Sequence, residues 1–569
     1  VKSNYIGLST TLHDPAIAVV NSRGEVVFAE AAERFLQNKR GWNGMPDNML
    51  VADKIIDEYC ERDVELVLAR SWSGKTLTRF RRLRRFMPMV MKKAGADPQD
   101  HAKTMMMLHG MIGIQESSAS HLEYQASENK RIRGVIRRFY DHHTTHAAYA
   151  CFASPFQEAV CVVVDGYGEN FLSTAFFSFQ NGKLAPLRTI KGSKWASLGL
   201  FYQTLCSLCG FDPLKGEEWK VMGLAPYGTY NESLYKLLQS YIKAKDGRLL
   251  SSAGGFKGLA RLRREVARLS PSPADLAYNG QLYFTELVTA ILTHVHSLGF
   301  SDNLVLTGGC ALNSAANGKI LERTPFRQLF VPPAPADDGN AVGAALLAYG
   351  EDNPNQPLSS TIQSPYLGSP VSADTVDKAE RFGRLRFRSL DDNGMTKRTA
   401  EILAAGGIVG WVQGRAEFGP RALGNRSILA DPRSATIKKR LNESVKFREA
   451  FRPYAPAILH EHGHEYFENY QESPYMERAL RFKKEVRERI PGVVHVDGTG
   501  RLQTVKREWN ERFYRLISVF KDLTGIPLLL NTSFNVRGKP IIHTVEDALA
   551  VFFTADLDAL VIGDKLLEK

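Results

Sequence analysis

The sequence predicts an α/β protein of two domains, the first of them built from an internal repeat. Three observations carry this. A strand–turn–strand–turn–strand pattern occurs twice in the stretch up to Ile190, a Pro-, Asn- and Ser-rich stretch runs from about Asp352 to Ser372, and beyond it the pattern changes to helix followed by buried strand. At 569 residues the chain is too long for one ordinary core. The expected boundaries are 1–355 and 373–569.

The first copy of the repeat is YIGLST, the polar turn TLHDP and AIAVV, followed by a tight turn at Asn21 to Gly24 and the strand EVVFAEA. The second copy starts at Ala159: AVCVVVDGYGEN is strand plus Gly-rich turn, LSTAFFSFQ is a strand, NGK is a hairpin turn and LAPLRTI is a strand. Two such meanders, each with a polar turn after its first strand, suggest a duplicated nucleotide-binding lobe of the kind from which actin-like and sugar-kinase-like ATPases are built. Asn303 to Asn313, NLVLTGGCALN, adds a strand that ends in Gly308-Gly309 and then turns helical, which lets backbone approach an anion at a helix start. Leu250 to Ala277 is polar and basic and reads as an exposed insertion. In the second domain AEILAAGGIVGWVQGR reads helix, buried strand, basic loop; GIPLLLNTSFNVRGKPI reads strand and loop; EDALAVFF reads helix and LDALVIG strand. Gly74-Lys75-Thr76 is no phosphate loop, because the first glycine of that motif would fall on Ala69.

The composition, 44% hydrophobic and 24% charged, is that of a globular protein. No apolar run reaches the roughly 18 residues of a membrane span, and the N-terminal residues carry no signal-peptide pattern; a cytoplasmic location with no membrane partner is the expectation. Of the six cysteines, Cys206 and Cys209 form a CxxC that lacks the second pair a zinc site needs, so packing is their expected role. The formal net charge is +12, and Arg79, Arg81, Arg82, Arg84, Arg85, Lys92 and Lys93 crowd one stretch. A nucleic-acid patch and a solvated amphipathic helix face both fit it, the second better. The surrounding residues from Trp72 to Gln125 read as a lid or pocket wall, with Met105, Met106 and Met107 able to adapt to a bulky apolar group, and equally as ordinary core packing.

Chemistry concentrates in two places. In FYDHHTTHAAYACF, His142 and His146 stand four apart in a helical context, where both imidazoles leave one face and can share a metal. His143 points elsewhere. Asp338, in PADDGNAVGAALLA, is the expected carboxylate partner, though the same residue would also suit a helix cap. Two His and one carboxylate leave open positions and suit Fe(II) or a similar divalent ion; packing histidines would show the same spacing. In the second domain Arg415, Arg421, Arg426, Arg433, Lys446, Arg448, Arg452 and Arg501 lie beside Gly-rich loops and NTSFN, with Asn531, Ser533 and Asn535. That set reads as a pocket for a polyanion.

Taken together, LHDPAIAVV, DHHTTHAAYA, VVVDGYGE, EEWKVMGLAPYG, LTGGCALNS, DDGNAVGAA, GRAEFGPRALGNRSILADPR, VKFREAFRPYAP, HVDGTGRLQTV and NTSFNVRGKPI closely resemble the ATP-dependent O-carbamoyltransferases of nodulation-factor and antibiotic biosynthesis. The resemblance spans Leu12 to Ile541. It implies an N-terminal domain like the tRNA-threonylcarbamoylation ATPase and a C-terminal domain similar to threonylcarbamoyl-adenylate synthase. It also implies two half-reactions. ATP, with Mg, and carbamoyl phosphate give carbamoyl adenylate and pyrophosphate in the C-terminal domain, at Arg421, Lys446, Arg452, Arg501 and Ser533, with Arg415 and Asn531 on the nucleotide. The carbamoyl group then passes to a hydroxyl of a small-molecule natural product in the N-terminal domain. There His142, His146 and Asp338 would hold the metal, and Asp165, Gly166, Lys220, Gly308, Gly309 and Asn313 the nucleotide, with Glu217 or Glu218 toward the ribose. His13 and Lys39 would contact the carbamoyl group or the acceptor hydroxyl. A homodimer is compatible with this reading, and nucleic acid is disfavoured as a partner. The alternatives are a tRNA threonylcarbamoylation-type enzyme and a non-catalytic nucleotide-binding protein.

Overall fold

The computed structural model describes residues 2–94, 98–194, 196–251, 256–356 and 364–569. The stretch read as a linker includes 357–363, and the stretch read as an insertion includes 252–255; both sets lie outside the described residues. The chain forms two compact units, Val1–Leu36 with Arg40–Ile362, and Gln37–Lys39 with Gln363–Lys569.

The first unit holds two five-stranded sheets of the same plan. In the first, β1 (Ser3–Ser9), β2 (Ala16–Val20) and β3 (Val26–Ala31) form an antiparallel meander, and β4 (Val64–Arg70) and β5 (Ile132–Phe139) add in parallel on the other side of β1, in the order β3-β2-β1-β4-β5. In the second, β6 (Glu158–Val164), β7 (Thr174–Gln180) and β8 (Lys183–Pro186) repeat the meander. A small hairpin of β9 (Ile242–Lys245) and β10 (Arg248–Ser251) follows, and then β11 (Asn303–Thr307) and β12 (Gln328–Phe330) add in parallel to give β12-β11-β6-β7-β8. The inner strands β1, β6 and β11 are buried almost throughout, as continuous apolar runs covered on both faces must be.

The connections carry the helices. Between β4 and β5 lie α1 (Gly74–Ala94) and α2 (Pro98–Ser117). Between β5 and β6 lies α3 (His142–Ala153), whose start Asp141 caps by accepting from Thr144 N–H. Between β8 and β9 lies α4 (Leu198–Leu208), and after β10 come α5 (Phe256–Leu269) and α6 (Pro273–His296). The expected insertion is therefore wrong for its described part: Leu262, Val266, Leu276 and Ala277 are core residues. The unit closes with α7 (Asn340–Asp352), which packs on β1, β2 and α3.

The second unit is one mixed nine-stranded sheet in the order β13-β21-β20-β14-β15-β19-β16-β18-β17. Its strands are β13 (Arg388–Ser389), β14 (Val409–Val412), β15 (Arg426–Ala430), β16 (Ala455–Leu459), β17 (Arg478–Arg481), β18 (Thr499–Val505), β19 (Leu528–Ser533), β20 (Ala559–Ile562) and β21 (Lys565–Glu568). Helices α8 (Asp392–Ala404), α9 (Glu511–Thr524) and α10 (Val545–Thr554) contribute buried residues to its core, which centres on Trp411, Phe513 and Phe534.

The contact of α7 with α3 fixes the first unit's site, and it is made at Gly343. A Cβ there would lie 1.9 Å from the backbone oxygen of Thr145, between the two histidines. Substituting Gly343→Ala must push α3 and α7 apart; we expect a loss of about 3 kcal/mol in urea unfolding, with no change in the unfolding slope.

Candidate functional site

In the first unit four donor atoms, from His142, His146, Asp165 and Asp337, lie within 4.8 Å of one another, all four residues buried. His142 Nε2 is 3.2 Å from Asp165 Oδ2 and 3.5 Å from Asp337 Oδ1; His146 Nε2 is 3.2 Å from Asp337 Oδ1 and 3.8 Å from Asp165 Oδ2. The imidazoles come from one face of α3, Asp165 from the residue after β6, and Asp337 from the turn that leads into α7. Asp338, the expected carboxylate, is not in the set. It is buried, and burial together with Asp14, Glu33 and Asp337 pushes its carboxyl well above the ordinary range, so it favours the protonated form; its Oδ1 accepts the Gly339 N–H at 3.1 Å. Asp165, expected on the nucleotide, belongs to this donor set, and its Oδ1 accepts the Gly309 N–H at 3.0 Å. Burial opposes ionisation of Asp165, but the hydrogen bond and charge of the neighbouring histidines hold it well below the usual carboxylate range.

The surroundings orient this set. Trp72 stacks on His142 with ring centroids 4.4 Å apart. The Asn340 amide lies 3.4 Å from His142 Nδ1, and Asn340 Oδ1 is buried with no hydrogen-bond partner among the described residues. With that oxygen turned to Nδ1, the ring donates Nδ1–H and presents the Nε2 lone pair to a metal. His13 Nδ1 stands 3.7 Å from Asp337 Oδ2 and is held by Asp14 at 2.9 Å, and Arg40 is 3.0 Å from Asp14. Burial raises the Asp14 carboxyl, but Arg40 and His13 outweigh it and hold the group strongly acidic. Gly308 has φ +92°, and a Cβ there would meet the Val164 carbonyl oxygen at 2.3 Å, so the glycine pair is folded directly against the end of β6. Gly166 lies against the start of α4 at Gly199. Lys220 is buried and paired with Glu217 at 2.7 Å. Asn313 is used internally: it caps the short helix after the Gly-Gly turn and exchanges hydrogen bonds of 3.0 and 3.1 Å with Gln281. Lys39 falls in the stretch that clusters with the second unit and is no part of this set.

The second unit gathers charge of the opposite sign. The Arg421, Arg448 and Arg452 guanidinium groups act on Arg501, and burial with these neighbours holds Arg501 well below the usual arginine range. Lys446, buried, is pushed well below the usual lysine range by burial and by Arg448 and Arg452. Its ammonium donates to the Ser533 carbonyl and to Asn535 Oδ1 at 2.8 Å. Burial lowers Arg421 to about 10. Glu449 lies 3.8 Å from Arg452. Asn531 donates to Gln503 at 2.7 Å, and its Oδ1 is buried without a partner among the described residues. Three more of the arginines that look alike in the sequence have partners within the protein. Arg415 donates to the Leu367 and Gly368 carbonyls, Arg426 is fully buried on the carbonyls of Gln413, Gly414, Asn425 and Ser369, and Arg433 pairs with Asp431 at 2.6 Å.

A profile described as the carbamoyltransferase N-terminus matches residues 4–346, and one described as the carbamoyltransferase C-terminus matches 400–569. The chain belongs to the carbamoyltransferase family. Nodulation protein NolNO of Sinorhizobium fredii is 37% identical over 79% of this chain and 68% of that protein, and nodulation protein NolO of Bradyrhizobium diazoefficiens is 38% identical over 75% and 79%. An uncharacterised protein of Synechocystis is 32% identical over 100% of this chain and 97% of its own. This carbamoyltransferase is an ATP- and carbamoyl-phosphate-dependent enzyme that acts on a small-molecule hydroxyl. Among its described residues no helix is long and apolar enough to cross a membrane.

One residue of the carbamoyltransferase escaped the sequence reading. Glu417 is buried, and its Oε1 accepts the N–H groups of Leu423, Asn425 and Arg426 at 2.7, 2.8 and 3.1 Å, which folds the loop that carries Arg421. An acid beside so many arginines reads as a salt-bridge partner; only the fold shows that it binds backbone instead. Substituting Glu417→Ala leaves three N–H groups without their acceptor and should cost roughly 3 kcal/mol while raising KM for carbamoyl phosphate. Glu417→Gln, which keeps an acceptor oxygen, should stay close to wild type by denaturant unfolding. Asn340→Ala should weaken divalent-metal affinity by about 10- to 100-fold, read by titration calorimetry, with the thermal transition of the metal-free protein little changed.

Proposed function

We propose that the two units divide the reaction, with carbamoyl adenylate made in the second and consumed in the first. The observation that supports this most strongly is the opposition of charge: a buried set with two carboxylates in one unit, a cluster of cations in the other. Carbamoyl phosphate and ATP are both polyanions, and the clustered cations of the second unit offer the positive potential to hold them together. There Arg421, Arg452 and Arg501 screen the phosphates, and Lys446, fixed by Ser533 and Asn535, orients the reacting end. For atoms to balance, carbamoyl phosphate gives up inorganic phosphate with uptake of one water, the carbamate oxygen attacks the α-phosphorus of ATP, and pyrophosphate leaves.

The first unit takes the mixed anhydride and releases AMP. We read its paired sheets as a duplicated ATPase core of the actin-like and sugar-kinase-like kind, with the glycine turn Gly308-Gly309 beside the nucleotide. Two imidazoles and two carboxylates, all buried, make a donor set of two nitrogens and two oxygens that fits a divalent ion of the Fe(II) type. When bound, such an ion supplies a positive centre for the negative charge that develops during transfer. His142, His146, Asp165 and Asp337 would hold it, Trp72 and Asn340 keep His142 in place, and Asp165 couples the set to the glycine turn. His13, oriented through Nδ1 by Asp14, keeps Nε2 to accept the proton of the acceptor hydroxyl as it attacks the carbamoyl carbon.

The division can be tested by separating the half-reactions. Arg452→Ala should reduce pyrophosphate release from ATP and carbamoyl phosphate by about 100-fold or more. His146→Ala should leave that release intact and stop transfer of the carbamoyl mass to a hydroxylated acceptor. A His146→Ala protein that transfers at the wild-type rate would remove the metal set from the mechanism, and an Arg452→Ala protein that forms the adenylate normally would move activation elsewhere.

A further inference from the structure

The helical hairpin α1–α2 takes no part in the chemistry above, yet it is rooted in the transfer site. Ser73, just before α1, donates through its N–H and hydroxyl to Glu169 at 2.6 and 2.7 Å, and Trp72 lies on His142. At the other end of the hairpin, Gln115 of α2 donates to Thr10 at 2.6 Å and Arg70 donates to the Gln115 carbonyl at 3.0 Å. From this anchored base α1 runs for 21 residues, roughly 30 Å.

The inner stripe of α1, Thr76, Leu77, Phe80, Leu83, Met87 and Met91, recurs at three- and four-residue spacing and is buried or half-buried. Its outer face is unusual in mixing cations with large apolar groups. Lys75, Arg79, Arg82 and Arg85 are exposed, and between them stand Phe86, 45% exposed, Met89, 53%, and Val90, 50%. Met106 of α2 is exposed too. α1 contains no acidic residue. Every acid on α1, α2 and the neighbouring α5 already has an arginine: Glu116 with Arg81 at 2.6 Å, Asp100 with Arg263 at 2.7 Å, and Glu265 with Arg268 at 4.0 Å. Exposed Arg261 and Arg264 of α5 add to the surplus.

We propose that the outer face of α1 docks on the surface of an anionic lipid bilayer. Surplus positive charge alone would suit any polyanion. Phe86, Met89 and Val90 decide between partners, because two of the three are aliphatic and have no use on a phosphate backbone, whereas they insert between acyl chains while the arginines beside them meet lipid phosphates. The length of the helix matches a surface rather than a single small anion. Among the described residues no helix is long and apolar enough to cross a membrane, and a helix lying in the interface needs no span. Because the base of the hairpin adjoins His142 and Thr10, docking would set the transfer site close to hydroxyl acceptors held at the bilayer; that consequence rests on the reading of the transfer site, and the docking itself does not.

Sedimentation of the 569-residue chain with vesicles tests this. Wild type should pellet with phosphatidylcholine–phosphatidylglycerol vesicles and stay in solution with phosphatidylcholine alone. Arg82→Glu with Arg85→Glu should weaken binding roughly tenfold or more, and Phe86→Ser with Met89→Ser should weaken it at low salt, where charge attraction is greatest. Both double variants should keep the wild-type thermal transition and wild-type pyrophosphate release, which also reports on the division of the reaction independently of docking. Failure of wild type to bind anionic vesicles at low ionic strength overturns the proposal. So does unchanged binding by the Phe86/Met89 variant, or displacement of wild type from vesicles by RNA with equal RNA affinity in that variant, which would make the face a nucleic-acid surface.

Discussion

Two carboxylates, Asp165 and Asp337, are buried against two imidazoles, and the architecture of the first unit follows from bringing them there. Each comes from a different connection, one at the end of β6 and one at the head of α7, and the imidazoles come from α3. Ionised carboxylates in an apolar interior are costly unless matched by positive charge. The helices that deliver them meet closely enough to set both carboxylates against the same two imidazoles. Gly343, with room for nothing larger than hydrogen against Thr145, is where that closeness is achieved.

The second unit has the converse problem. Arg421, Arg448, Arg452, Arg501 and Lys446 repel one another, and burial adds to the cost. The loop between Glu417 and Arg426, which carries Arg421, is held from behind by the Glu417 carboxylate and the last β15–β19 pairs. A polyanionic substrate relieves the repulsion, so binding energy and fold stability are linked in this unit. The linkage has a sign. Lys446 has its folded-state pKa lowered, so without ligand its burial is most destabilising at low pH, where it must stay charged, and the strain fades as pH rises through its folded pKa.

What could be read from the sequence was what depends on local spacing. The His142–His146 pair on a helix, the two meanders and the glycine turn after β11 are set by neighbours a few residues apart. Asp337 could not be told from Asp338 because the two precede the same helix, and a single step in the tight turn at Asp337–Gly339 sends one side chain to the histidines and the other back onto its own backbone. That Arg415 and Arg426 donate to rows of carbonyls was not legible, because a guanidinium serves a phosphate and a carbonyl equally well and the carbonyls come from segments far away in the chain. The supposed insertion failed for a related reason, since the apolar stripe of α5 is sparse and its partners lie on other helices.

The two sheets of the first unit place function at equivalent points. His13 follows β1 and Trp72 follows β4, the two parallel neighbours at the centre of the first sheet; Asp165 follows β6 and Gly308 follows β11, their counterparts in the second. Parallel inner strands all point their carboxyl ends the same way, and ligands gather there because the loops diverge and leave backbone groups free. In the second sheet the connection after β11 is short and stays at the site as the glycine turn and a capped helix. In the first, the same connection, after β4, has grown into α1 and α2. Its root is still held at the site by Trp72 and Ser73, so only its far length was free to take on another surface. That is the physical reason the hairpin can carry charge and apolar groups foreign to the chemistry without disturbing the residues that perform it.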